Sequence, residues 1–448
     1  MALRAHRGIL QYIVSPYGLA AASYLFFLFC CLLPPVWYKH HVDEPDLMFM
    51  DVTTILFYSL CVVSFVAGVR LVDGWSPAEL VPEPEIETTG SPIRFVLVPV
   101  LIALTLCCVS IVLVIRNYPV LVQALLSQSG KDIKETDMGR IMPLSTANMW
   151  LLGILWWATW RSRQLGIGGY RGRLFRFVLY IATLATIVGA TLKLTRGELM
   201  LIVVGVATVY LLRRTIERGA NFAFAARYGV ATMACVLVLF FLFSFARGSD
   251  WNELLSSTGG NTANALVTNL LTYTASSYNR LAALLHHRLR YPYAGRGIYL
   301  CGFLNGGHTF NRVIPFNKTL GWPDFNEVWQ SEFGAAWKAG LNGTAITSGT
   351  FGYIFSELGW CTPLFVFGYG LMYGWVWRSV KMGKVFGVVL YPWFAFCILF
   401  WFGTNFLLDN KILIFFVTAL VLCAYERLYL RPRPRAETAI PAMLQTSL

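Results

Sequence analysis

Charge is what this chain has least of. Asp, Glu, Lys and Arg make up 13% of its 448 residues, hydrophobic residues make up 56%, and the mean hydropathy is +0.58. That scarcity excludes an ordinary soluble domain, whose surface needs about a quarter of its residues charged. Paired cysteine spacing is lacking too, so neither a zinc site nor a disulfide framework is implied. Most of the ten cysteines (Cys30, Cys31, Cys61, Cys107, Cys108, Cys235, Cys397 and Cys423) lie inside apolar runs, where a thiol packs as a small hydrophobe; Cys301 and Cys361 form the one couple near polar sequence. The chain has no Ser–His–Asp elbow, no glycine loop with a phosphate-binding lysine, and no carboxylate motif of metal-dependent transferases. Without an internal repeat, a transporter built from inverted halves has no direct support. The first apolar run follows Arg4 and Arg7, but it is too long for a signal peptide and has no small-residue cleavage site, so it reads as a retained helix.

What is present is long apolar sequence. The runs Tyr17–Tyr38, Val52–Val69, Phe95–Ile115, Leu144–Trp160, Phe177–Leu192, Leu199–Leu212, Tyr228–Ala246, Thr362–Trp377, Val385–Leu408 and Ile412–Tyr425 each read as a membrane helix, giving an all-α polytopic protein of about ten spans. The formal charge of +13 is distributed as short basic clusters between these runs, which is the pattern of membrane topology rather than of nucleic-acid binding. Alternating sides from a cytoplasmic N-terminus puts Arg161, Arg163, Arg171, Arg173, Arg176, Arg213, Arg214, Arg218, Arg227, Arg378, Lys381, Lys384 and Arg427 to Arg435 together, so both termini are expected in the cytoplasm. The acidic, proline-bearing loop from Arg70 to Arg94 fits this rule least and reads as an extended linker. Four regions follow: residues 1–247 with seven helices, a long outward loop at 248–360 carrying short helices, three more helices at 361–430, and a cytoplasmic tail at 431–448.

Function is expected in the long loop, because a plain anchor needs none of its chemistry. It holds Arg280, Arg288, Arg290, Arg296, His308 and Arg312 among many aromatics, a composition suited to an anionic, sugar-bearing ligand. Trp322, Phe325, Trp329 and Trp337 offer flat faces to sugar rings or, equally well, to lipid headgroups. From Leu271 to Arg290 the spacing of Tyr278, Leu281, Leu285 and Leu289 predicts an interfacial helix, with Arg280 and His287 on another side. His286, His287, Arg288 and Arg290 read as its wet side or as a phosphate clamp.

Among single residues, Arg196 stands out because its hairpin, Lys193 to Glu198, joins two short apolar runs and places a cation at depth. Local pairing with Glu198 is the plainer reading, and Lys193 is the expected snorkeller. Arg280, with Arg247 at the end of a span, adds further guanidinium forks that match phosphate oxygens bidentately without a metal. His308 sits after Gly306 and Gly307, where the backbone approaches a ligand closely, and is a general-base candidate. Glu327, Glu332 and Glu357 are the nearby carboxylates able to take a proton from a hydroxyl, and spacing does not choose among them.

The run Asn342, Gly343, Thr344, then Thr347, Ser348, Gly349, Thr350, Phe351, Gly352, Tyr353, and finally Ser356, Glu357, Leu358, Gly359 resembles the end of the large periplasmic loop in bacterial O-antigen and oligosaccharide repeat-unit polymerases. Arg196 and the Tyr278 to Leu285 segment are similar to positions of that family, and Glu357 stands where an aspartate is common. The resemblance implies an inner-membrane glycosyltransferase that joins undecaprenyl-diphosphate-linked oligosaccharide units at the periplasmic face. Arg196, Arg280 and Arg247, with Arg288 and Arg312, would hold the diphosphate, and His308 or Glu357 would take the acceptor proton. No metal or nucleotide cofactor is expected, since the donor arrives activated on lipid. The implied partners are the bilayer, a chain-length regulator and a flippase, with no nucleic acid. Transfer of a finished glycan by a ligase, or transport of lipid-linked sugars, are the alternatives.

Overall fold

Prolines and capping residues mark where the apolar runs start and stop. Ser15 accepts a hydrogen bond from the Gly18 N–H at 3.3 Å and Pro16 follows it, so the first helix, α1 (Pro16–Cys31), begins there. Pro34 and Pro35 then end the ladder, and the chain bends by 97° into α2 (Pro35–Val42). The computed structural model describes residues 13–74, 86–88, 91–117, 130–167, 169–193, 196–218, 222–245, 249–305, 316–323, 325–343 and 347–432. Further helices are α3 (Val52–Gly74), α4 (Pro92–Asn117), α5 (Gly130–Gln164), α6 (Gly169–Leu192), α7 (Arg196–Arg218) and α8 (Phe222–Phe245). The polar stretch carries α9 (Ser249–Ser257), α10 (Thr262–Tyr273), α11 (Ala275–Leu285), the single turns α12 (Gly302–Asn305) and α13 (Phe316–Thr319), then α14 (Phe325–Lys338) and α15 (Gly349–Leu358). The chain ends in α16 (Thr362–Lys381), α17 (Val385–Leu399) and α18 (Lys411–Tyr429).

Each apolar run is helical over most of its length. Among the described residues, four helices are long and apolar enough to cross a membrane: α3, α4, the Gly172–Leu192 part of α6, and α18; the bent pair of α1 and α2 would make a fifth if it is one span. Their outward faces are apolar, as Leu101, Ile102, Val109 and Val112 of α4 and Leu56, Leu60 and Val63 of α3 illustrate. The acidic linker meets the rest of the fold through an antiparallel strand pair, Ile86–Thr88 with Leu430–Pro432, the one departure from helix in the described sheet topology.

At the centre lies α17, buried along nearly its whole length and packed on α1, α5, α7, α16 and α18. The closest pair is α3 with α16. Gly68 and Gly370 face each other's backbones so closely that a Cβ on Gly68 would sit 2.3 Å from the Phe367 carbonyl, and one on Gly370 2.2 Å from that of Phe65. The two run parallel, because Lys381 at the end of α16 pairs with Asp73 at the end of α3. The same end holds Arg161, whose guanidinium forks onto Glu426 at 2.5 and 2.8 Å while Trp157 donates to the same carboxylate at 2.6 Å. The helices of the polar stretch pack at the opposite end, where α10 lies on α2 and α11 on α1, α3 and α15.

Two local expectations are corrected here. Leu271 to Arg290 is not one interfacial helix: it breaks at Thr274, and every residue of α11 is buried, because α1, α3 and α15 cover the side that was expected to face water. Lys193 does not snorkel. It is buried and paired with Glu198, whose carboxylate also accepts from Ser145 at 2.9 Å and Asn148 at 3.4 Å.

Candidate functional site

Arg280 enters the core on α11 and is 1% exposed. Its Nη2 donates to the Asn342 carbonyl, and its Nη1 has no partner. Polar clamps on both sides fix that position. Asn279, one residue earlier, donates to Glu44 at 2.8 Å and to the Pro45 carbonyl at 2.9 Å, and accepts from the Leu47 N–H at 2.6 Å. Glu44 also accepts from the Tyr38 hydroxyl at 2.5 Å and the Asn342 N–H at 2.9 Å, while Asn342 Nδ2 donates to the Val42 carbonyl at 2.6 Å. The loop after α2 is thus stitched to the residues that hold Arg280. No signal in the sequence marked Glu44; it is a carboxylate in a short loop, visible only once its three donors converge.

On the other side of Arg280 lies a buried carboxylate, Glu332 of α14, 8% exposed. Tyr353 of α15 donates to it at 2.9 Å. Tyr291, Tyr299 and Tyr353 pack ring to ring around it, with centroids 5.3 to 5.8 Å apart. Burial pushes the Glu332 carboxyl up to about 7, against the opposing pull of the two tyrosine hydroxyls and Arg280. The three tyrosines are raised as well, first by burial and then by the neighbouring carboxylate.

Residues 347–357 close this region. Ser277 and Thr347 share a hydrogen bond of 2.6 Å, Thr347 donates to the Phe402 carbonyl, and the Thr350 N–H reaches the Trp401 carbonyl at 2.7 Å. Gly349 sits at φ +70°, a conformation that a side chain would strain, and so lets the chain turn against Trp401. Glu357 uses its two oxygens to accept the N–H groups of Gly297 (3.0 Å) and Tyr299 (2.9 Å), which anchors the turn bearing Tyr299.

Six residues beyond Arg280, roughly 9 Å along a helix axis, the same helix ends at His286. His286 bonds Asp51 at 2.8 Å and, with Arg288, Leu47 and Phe49, lines a polar cavity of about 450 Å³. Burial works to raise the Asp51 carboxyl, but hydrogen bonds from Thr54 and His286 outweigh it and hold it below the usual range. Beyond Glu357, Leu358 begins an apolar groove of about 790 Å³ between α16 and α18, floored by Phe365, Tyr369 and Met372.

Of the expected site residues, the structure brings Arg280 to the buried cluster, Arg288 to the open cavity and Glu357 to the backbone of the turn at 297–299. Arg196 opens α7, which packs on α5, α6, α8 and α17; its side chain lies outside the described part, as do Arg247, His308 and Arg312. All ten cysteines are free, Cys301 and Cys361 included. Compared with known protein families, with curated proteins and with solved structures, the chain matches none.

Proposed function

We propose that this chain is an inner-membrane glycosyltransferase that polymerises undecaprenyl-diphosphate-linked oligosaccharide units, with about ten spans, both termini in the cytoplasm and the long loop in the periplasm. The observation that carries the reading is Arg280: a buried guanidinium with one free nitrogen, set where the polar stretch meets the membrane helices. A guanidinium there suits a phosphate or sugar oxygen, and a buried charge without a full set of partners is costly unless a ligand completes it. Arg288, just beyond the end of the same helix, adds an accessible guanidinium in the cavity it lines with His286 and Asp51, for the second phosphate or for the acceptor. The apolar groove beginning at Leu358 has the character needed by a prenyl tail. A hydroxyl of one unit would attack the anomeric carbon of the other, and the departing diphosphate would take up the bonding electron pair beside these cations.

The test is a glycan profile of cells lacking the gene and carrying it back as variants. Deletion should leave single capped units. Arg280→Ala and Arg288→Ala, at wild-type levels in the membrane, should each shorten or abolish the polymer, Arg280→Ala more severely. Normal chain lengths in both variants reject the site, and free lipid-linked polymer after deletion points instead to a ligase.

A further inference from the structure

Beside Glu332 lies a buried guanidinium nitrogen that has nothing to bond. Arg280 Nη1, Tyr299 Oη and Ser348 Oγ are all buried; Tyr299 interacts with Glu332 and Ser348 with Tyr291, while Arg280 Nη1 has no partner. They come from three separate segments: α11, the turn anchored by Glu357, and the start of α15. Tyr291 ties them together, lying against Ser348, Arg280 and Glu332. Glu332 and Arg280 are close enough to feel each other's charge, yet no ion pair joins them, since the one bond of Arg280 goes to the Asn342 carbonyl. Native interiors rarely leave a guanidinium nitrogen idle beside a buried carboxylate, and a ligand hydroxyl between Arg280 and Glu332 would bond both. Glu357, by contrast, has both oxygens engaged by backbone N–H groups.

We infer that Glu332 is the catalytic proton acceptor of the glycosyl transfer, an inference that rests on the polymerase reading above. The acceptor sugar's hydroxyl lies between Glu332 and Arg280. As its oxygen forms a bond to the anomeric carbon, its proton passes to the Glu332 carboxylate, and the bond from that carbon to the diphosphate breaks with its electron pair on the leaving oxygen. A carboxylate that titrates near neutrality is a stronger base than an exposed one and is still about half ionised at neutral pH. The tyrosines facing it do not blur that titration: Tyr291, Tyr299 and Tyr353 are held neutral through this range by burial.

The experiment uses the full-length protein in liposomes with lipid-linked oligosaccharide extracted from a deletion strain, following polymer and released lipid diphosphate from pH 5.5 to 8.5. Wild-type protein should show a rate that rises through about pH 7. Glu332→Gln should lose about 100-fold or more in turnover while retaining the bound oligosaccharide lipid. Tyr353→Phe removes a hydrogen bond that stabilises the ionised carboxylate, so its rising limb should move to higher pH. That shift tests the role even where Glu332→Gln fails to fold, and loss of packing alone does not produce it. Full activity in Glu332→Gln, or an unmoved limb in Tyr353→Phe, overturns the role of Glu332 and leaves the polymerase intact. No polymer and no lipid diphosphate from wild-type protein overturns both.

Discussion

At the level of single residues, the balance between Arg280 and Glu332 decides how the polar cluster behaves. A buried guanidinium cannot shed its proton, so any charge adjustment in this cluster falls on the carboxyl. Glu332 holds its proton more tightly in the folded chain, at about 7, than at its ordinary value of 4.5. Between those values the folded state binds more protons than the unfolded one. Stability is therefore greatest below about pH 4.5 and falls as pH rises through 7, by a total on the order of 3 kcal/mol. The difference between wild-type and Glu332→Gln melting temperatures in detergent should follow that slope, with the variant relatively more stable on the alkaline side; parallel curves would show that Glu332 is not the titrating group. The sequence made Arg280 visible as a cation beside an apolar helix face, and it offered Glu332 as one of three carboxylates. What separates Glu332 from Glu327 and Glu357 is burial against three tyrosines from different segments, which spacing along the chain does not encode.

At the level of elements, the apolar runs were legible because a bilayer-length helix announces itself by composition, and the break at Pro34–Pro35 by chemistry. The burial of α11 was not. Its hydrophobic spacing is that of a helix with a wet side, and only contacts from α1, α3 and α15, with Asn279 and Arg280 matched by distant carbonyls and Glu44, turn that side inward. The close packing of α3 on α16 was equally hidden, since glycines in apolar runs do not name their partners. It has a direct test. Gly370→Ala would push a methyl against the Phe65 carbonyl, whereas Gly368→Ala, two residues away, meets nothing within 4 Å. The first should cost about 1–3 kcal/mol through overpacking, read as a clear drop in melting temperature; the second should be neutral. Equal effects of the two substitutions would mean that the helices do not meet along this face.

At the level of the whole molecule, the fold has two chemically distinct ends, and the candidate site depends on which way they point. One end is sealed by ion pairs that tie α3 to α16 and α5 to α18, namely Asp73 with Lys381 and Arg161 with Glu426. Losing one partner of such a pair leaves a buried charge, at a cost of about 3–5 kcal/mol. The other end carries the polar stretch, the unbonded Arg280 nitrogen and the mouth of the cavity at His286 and Arg288. Clusters of Lys and Arg near the first end would put it in the cytoplasm by the positive-inside rule, and the proposed polymerase needs the site on the other face, where lipid-linked glycan would be met. Cysteines introduced at exposed positions of the two ends decide the point. Asn252→Cys on α9 should react with a membrane-impermeant maleimide in cells with a permeabilised outer membrane. Lys384→Cys, between α16 and α17, should react only in inverted inner-membrane vesicles. The reverse pattern would turn the cluster around Arg280 toward the cytoplasm. A polymerase working on exported lipid-linked units could not then use it, and nucleotide-linked or cytoplasmic substrates would have to be considered for the same side chains.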